Sequence, residues 1–290
     1  METADALGAN LLFLVSQPRA GSTLLQKILG GHSAIHTQSE PWIALHPLFA
    51  LRQQGHDSVY SSALYRQAAI HFLEQLPNGE QAWWEANRRM LGYLYGCALE
   101  RSGKRLFLDK TPRYYLILPE LRKVFPRARF ILLFRHPLAV LVSMLETFPA
   151  GTEQEYLRDL RSDLVDAPRL LLNGGTALGH SATCIRYEAL VAHPEAVIGR
   201  LLDWLNLPRE PSIIHYGDGE TSSQWMFGDQ GLVYSEPSPV ASRAERWREV
   251  LARSPEWRNH GEVCLRALGQ DLMEQLGYDV PDWFDGNRKC

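Results

Sequence analysis

Leu11–Gly31 reads LLFLVSQPRAGSTLLQKILGG, and three successive signals in it decide the fold. Leu11–Val15 is an unbroken apolar run, the pattern of a strand covered on both faces in a parallel sheet. Gln17-Pro18-Arg19-Ala20-Gly21 breaks the run, and Ser22-Thr23 open an amphipathic helix with Leu24, Leu25, Ile28 and Leu29 on one face. A strand, a tight glycine loop and a helix start aim free backbone N–H groups and a positive helix end at one point. An anion belongs there. Arg19 and the hydroxyls of Ser22 and Thr23 add side-chain donors. The plain alternative is a strand-to-helix turn with a serine cap. A triphosphatase phosphate loop needs Gly-Lys-Ser/Thr at the helix entry, and here Ser22 follows Gly21 directly.

Outward from this stretch, strands and helices alternate. Arg105–Leu108, Phe130–Phe134 and Thr183–Tyr187 read as further strands, and Leu138–Glu146 and Pro194–Leu205 as helices. Pro137 suits the first position of its helix. Tyr60–Leu76 and Glu80–Arg101 are helical by period and are read as scaffold or lid. Glu153–Leu172 also reads as a helix, with Asn173-Gly174-Gly175 as the break before the fourth strand. The pattern predicts an α/β fold with a central parallel sheet flanked by helices. The whole chain is expected to be one domain, 1–290, with a helical insert at about 55–102. His215–Pro239 has no clear period and is long enough for a binding loop. Arg243–Leu251, Glu256–Leu265 and Leu268–Leu276 read as closing helices.

The 290 residues can bury a sizeable core, and 45% hydrophobic with 22% charged residues is ordinary for a globular chain. A net charge of −3 offers no global attraction to nucleic acid or an anionic membrane, so any anion site must be local. Cys97, Cys184, Cys264 and Cys290 are scattered without paired spacing, which argues against a zinc site and a disulfide framework. No apolar run reaches spanning length. A cytoplasmic location is the expectation.

Three strand ends carry polar groups where doubly wound sheets bind ligands. The first gives Arg19, Gly21, Ser22 and Thr23, and the second gives Asp109-Lys110. The third gives Arg135-His136-Pro137, with Ser143 eight residues after the arginine. An arginine at a strand tip and a serine on the next helix can grip one phosphate together. Two anion sites on neighbouring strands imply a nucleotide with phosphates at both ends.

This pattern resembles the sulfotransferases that use 3′-phosphoadenosine 5′-phosphosulfate (PAPS), and more closely their bacterial and tyrosylprotein or heparan-like branch than the cytosolic one. Gln17–Leu24 looks like their 5′-phosphosulfate loop, Arg19, Ala20, Gly21, Ser22, Thr23 and Leu24 included. Arg135 with Ser143 has the spacing of their 3′-phosphate site. Asp109-Lys110-Thr111-Pro112 resembles the segment whose lysine reaches the transferring sulfuryl group. Ile185–Leu190, with Tyr187, resembles the fourth-strand segment running toward the nucleotide. Ala20 departs from the family, which usually has a small hydroxyl residue there.

The resemblance implies a PAPS-dependent sulfotransferase without metal. Lys110 would neutralise charge on the bridging oxygen, and Glu40, in Ser39-Glu40-Pro41, would be the base. His36, His46 and His136 are its rivals, although His136 sits in the Arg-His-Pro turn and suits a structural role. The implied acceptor is a hydroxyl, or an amine, of a small molecule such as a natural-product intermediate. Trp42, Phe49, Trp225 and Phe227 are candidates to line its pocket, and Ser222 or Ser223 to touch the sulfuryl group. Arg243, Arg246 and Arg248 read first as a solvated helix face. The competing readings are an ATP-dependent kinase-like phosphotransferase and a non-catalytic nucleotide-binding protein.

Overall fold

The computed structural model describes residues 7–52, 59–147, 158, 160–216 and 237–284. Five strands, β1 (Leu11–Ser16), β2 (Ile35–Ser39), β3 (Leu106–Lys110), β4 (Arg129–Phe134) and β5 (Ala182–Arg186), form one sheet. All described pairings are parallel, in the order β2-β3-β1-β4-β5. β1 is central, and every residue in it is buried, as its unbroken apolar run requires.

The two-residue period of β1 divides the core. Leu11, Phe13 and Val15 face one layer, built by α4 (Glu80–Ser102), the 3₁₀ segment Pro112–Ile117, α5 (Leu118–Val124) and α7 (Ala167–Leu178). Leu12 and Leu14 face the other layer, with α1 (Ser22–Gly30), α8 (Tyr187–Ala192) and α9 (Pro194–Trp204). A third cluster joins α6 (Pro137–Thr147) to α10 (Arg246–Arg253), α11 (Pro255–Leu268) and α12 (Gln270–Leu276). α2 (Leu45–Phe49) follows β2, and α3 (Ser62–Glu74) precedes α4. Leu91 and Tyr95 of α4 reach the core, so α4 is scaffold.

Two segments differ from the sequence reading. β2 was not recognised as a strand, because IHTQS is mostly polar: it is an edge strand and only Ile35 is buried. The helix before β5 runs on through Asn173-Gly174-Gly175 instead of breaking there. A Cβ on Gly174 would lie 2.4 Å from Leu118, so this glycine serves close packing of helix on helix.

Candidate active site

The carboxyl ends of β1, β2, β3 and β4 lie along one edge. Register pairs Leu14 and Ser39 with Lys110, and Ser16 with Leu133, so the segments after these strands are brought together. After β1, Arg19 has φ +67° and Gly21 φ +97°. Gly21 is required twice over, because a Cβ there would come 2.4 Å from the Tyr187 ring. Gly21 caps α1, and no side chain caps the first turn. The helix start therefore presents its N–H groups as expected for an anion loop.

The second anion set adjoins the first. Arg135 donates from Nη1 to the Arg19 carbonyl at 3.0 Å and stacks on Tyr187 at 4.3 Å. Arg19 Nε donates to Ser143 Oγ at 3.1 Å. Arg135 is half-buried and forms no ion pair among the described residues, while its covered Nε has no hydrogen-bond partner. Burial lowers its pKa from the ordinary value. A guanidinium in this state calls for an anion.

Glu40 and Lys110 meet at the ends of β2 and β3. Glu40 accepts from Lys110 Nζ at 2.9 Å and from Trp42 Nε1 at 3.3 Å. The Glu40 amide donates to the Lys110 carbonyl at 2.8 Å. Glu40 and Trp42 both have left-handed backbones, at φ +49° and +56°. Non-glycine residues hold such conformations at a cost on the order of 1–3 kcal/mol each, and they cluster at functional sites. Lys110 is entirely covered, so Glu40 stands in front of it at the cavity wall.

Behind this pair lies a buried carboxylate. Asp109 accepts from Tyr95 (2.6 Å), Thr111 (2.7 Å) and Tyr114 (3.1 Å). Burial raises its pKa to about 6, against the opposing effect of those hydroxyls and of Lys110. Beside it, Arg113 clamps the buried Asp163, with Nη2 to Oδ2 at 2.6 Å and Nε to Oδ1 at 3.0 Å. Tyr115 donates to Asp163 at 2.7 Å. The Asp163 carbonyl accepts from Gln17 Nε2 at 2.9 Å, tying the pair to the β1 loop. Trp42 lies on the Arg113 guanidinium at 5.5 Å.

A cavity of about 510 Å³ joins these groups, within the range of small-ligand sites. Arg19, Gly21–Leu24, Arg135, Ser143 and Tyr187 line it together with Glu40, Arg113 and Asp163. Arg243 and Arg246 also line it, a place the sequence reading does not give them. Arg243 ends the 3₁₀ turn Ala241–Arg243, while docking of α10 on α6 brings Arg246 to Glu146 at 2.6 Å. Arg246 and Arg248 are both exposed, as the sequence reading has them, and Arg248 pairs with Glu245.

Other expected residues fall elsewhere. Ala20 is buried in the third core cluster. Phe49 packs in the core with Arg52 over its ring at 5.1 Å, and does not line the cavity. Trp42 touches Glu40 and Arg113 beside the cavity. Trp225, Phe227, Ser222 and Ser223 lie outside the described residues. None of His36, His46 and His136 lines the cavity. His136 accepts from the Leu138 amide, bonds the Asp279 carbonyl at 3.0 Å and stacks on Trp247, and burial lowers its pKa to about 4. It is a neutral brace. The Arg113–Asp163 pair and the Asp109 network were not recognised from sequence; the Asp109-Lys110-Thr111-Pro112-Arg113 run was the only local signal.

A model of the sulfotransferase family matches residues 12–211. The chain belongs to that family. The nodulation protein NoeE of Sinorhizobium fredii is 28% identical, over 93% of this chain and 66% of that protein. Protein-tyrosine sulfotransferase 1 of Danio rerio is 25% identical, over 71% of this chain and 56% of that protein. The chain thus spans between about half and two thirds of these relatives' lengths. The sulfotransferase domain from the curacin biosynthetic pathway superposes with a TM-score of 0.58 at 26% identity, covering 93% of this chain and 98% of that one. The sulfotransferase domain of the Synechococcus PCC 7002 olefin synthase gives 0.59 at 23% identity, covering 93% and 95%, and supports the same fold. No helix among the described residues is long and apolar enough to cross a membrane.

Proposed function

We propose that the chain transfers the sulfuryl group of PAPS to a hydroxyl of a small-molecule acceptor, without a metal. The observation that carries this reading is that one cavity is lined by two anion-binding sets and by a carboxylate. The residues fit a nucleotide with phosphates at both ends. The Arg19–Leu24 loop meets one end. Arg135, stacked on Tyr187 with an unbonded Nε, meets the 3′-phosphate with Ser143 close by. PAPS supplies an activated sulfur whose leaving group is the nucleotide 3′,5′-bisphosphate (PAP).

Glu40 takes the proton of the acceptor hydroxyl as its oxygen bonds to sulfur. The loop amides and Arg19 stabilise the charge that grows on the 5′ oxygen as the sulfur–oxygen bond breaks. Protonation of Glu40 removes the negative charge facing Lys110, whose ammonium then adds to the positive field at the same oxygen. The products are PAP, the sulfate ester and one proton on Glu40. The transferred group carries less charge than a phosphoryl group, so these cations suffice.

For the acceptor, the cavity volume suits a small molecule, and a similar solved structure is a domain of a biosynthetic pathway. Relatives named protein-tyrosine sulfotransferases make a peptide tyrosine the competitor. Calorimetric titration with PAP, ADP and Mg-ATP tests the donor. Metal-free PAP binding that disappears in Arg135→Ala is expected, and preference for Mg-ATP would replace this reading with a kinase-like one. A screen with radiolabelled PAPS against phenols, sugars, alcohols and an acidic tyrosine peptide then decides the acceptor.

A further inference from the structure

Asp109 and Tyr114 belong to a network that reaches the loop carrying Glu40. The Tyr114 hydroxyl donates to Asp109 Oδ2 at 3.1 Å and accepts from the Ala44 amide at 3.1 Å. Ala44 lies on the same turn as Glu40 and Trp42, whose left-handed backbones need outside restraint. The turn is pinned at its start by the Glu40 amide on the Lys110 carbonyl, and at its end by Ala44 on Tyr114. Tyr95 provides an internal comparison. It donates to the same carboxylate oxygen at 2.6 Å from α4, and its hydroxyl lies beside that of Tyr114, one contact further from the turn.

We propose that Tyr114, held by Asp109, is a positioning residue for Glu40: its hydroxyl fixes the strained turn that sets the base against Lys110. The inference rests on Glu40 being the base, as proposed above. A buried carboxylate with three hydroxyl donors would serve core stability equally well through any of them. Only the Tyr114 hydroxyl also receives the amide of the catalytic turn. An error of about 1 Å in placing a catalytic group can cost on the order of 100-fold in rate, so a single tether suffices to matter.

The test compares Tyr114→Phe with Tyr95→Phe. Each deletes one hydroxyl from the same Asp109 oxygen and keeps the ring in the same core. The readouts are amide exchange at Ala44, PAP affinity, and kcat and KM for PAPS. PAP release from PAPS is followed, with water as acceptor if no hydroxyl in the screen is turned over. The expected result for Tyr114→Phe is at least tenfold faster Ala44 exchange and at least tenfold lower kcat. PAP affinity and KM for PAPS should stay within about twofold, since the phosphate sites are untouched. Tyr95→Phe should leave Ala44 exchange and kcat within about threefold of wild type while losing similar thermal stability. Equal losses in both variants would reduce the network to core support and overturn the proposal, as would wild-type kcat in Tyr114→Phe. If the wild-type protein fails to bind PAP, the functional reading fails, and the Ala44 exchange comparison still decides the tether by itself.

Discussion

The two kinds of cation around the cavity are handled in opposite ways. On the catalytic side each has its own acid: Lys110 sits 2.9 Å from Glu40 and Arg113 2.6 Å from Asp163. On the proposed nucleotide side, Arg135 has only carbonyls and an aromatic ring as partners among the described residues. A paired cation is already satisfied and adds little attraction for a further anion. An unpaired guanidinium with a covered, unbonded Nε gains most when an anion arrives. The contrast parallels the proposed division between groups that hold the donor and groups beside the base, and mutation can break it.

The largest effect should come from the catalytic side. Glu40→Gln keeps the size and most hydrogen bonds of the side chain but removes the proposed base. The expected loss in kcat is about 10²–10⁴-fold, with PAP affinity within a few-fold of wild type. Steady-state kinetics beside PAP titration checks this, and unchanged turnover would take the base role from Glu40. Arg135→Ala comes next and has the opposite signature. Loss of two charge-assisted phosphate contacts should weaken PAP by about 10²–10³-fold. Its melting temperature without ligand should hold or rise, because a partly desolvated, unpaired charge is gone.

Arg113→Ala sharpens the comparison by reversing that pair of outcomes. It strips the buried Asp163 of its guanidinium and leaves the Tyr115 hydroxyl as its remaining side-chain donor. Arg113 is itself 38% exposed, so the loss should be about 1–3 kcal/mol, less than for a fully buried pair. Thermal denaturation should show it as a fall of several degrees, with PAP affinity within about threefold of wild type. Loss of PAP binding in this variant would mean that Arg113 also serves the donor.

How much of this could be read in advance depended on how local the signal was. β1, its loop and α1 were legible because an apolar run, a glycine and a hydroxyl pair lie in consecutive residues. The β4–α6 junction was legible for the same reason, through Arg135, Pro137 and Ser143. β2 was not, because an edge strand with one buried residue lacks the apolar pattern, although the strand leads directly into Glu40. Phe49 looked like a pocket residue and is core, since composition does not say which side of a five-residue helix turns inward. Arg113 and Asp163 are 50 positions apart and meet only after folding. The π-helical turn Ser162–Asp166 that carries Asp163 was read as plain helix.

The last effect concerns Asp109, which is held chiefly by hydroxyls, whereas Glu40 and Asp163 each have a cation at hydrogen-bond distance. Its pKa is raised by burial from 3.8 to about 6, so between these values the folded state holds a proton that the unfolded state has released. Stability from this group therefore falls as pH rises from about 4 to 6, and the cost is complete above 6. A shift of about two units corresponds to at most about 3 kcal/mol. Asp109→Asn cannot ionise and should lack that slope. The stability of wild type relative to Asp109→Asn, measured by urea unfolding, should be greater at pH 4 than at pH 6.5. A gap that is constant across this range would mean that Tyr95, Thr111, Tyr114 and Lys110 hold the carboxylate ionised throughout. A gap that closes as pH rises identifies a carboxylate that the fold keeps against its burial cost, as expected if its hydroxyl partners are needed elsewhere, at the Ala44 turn.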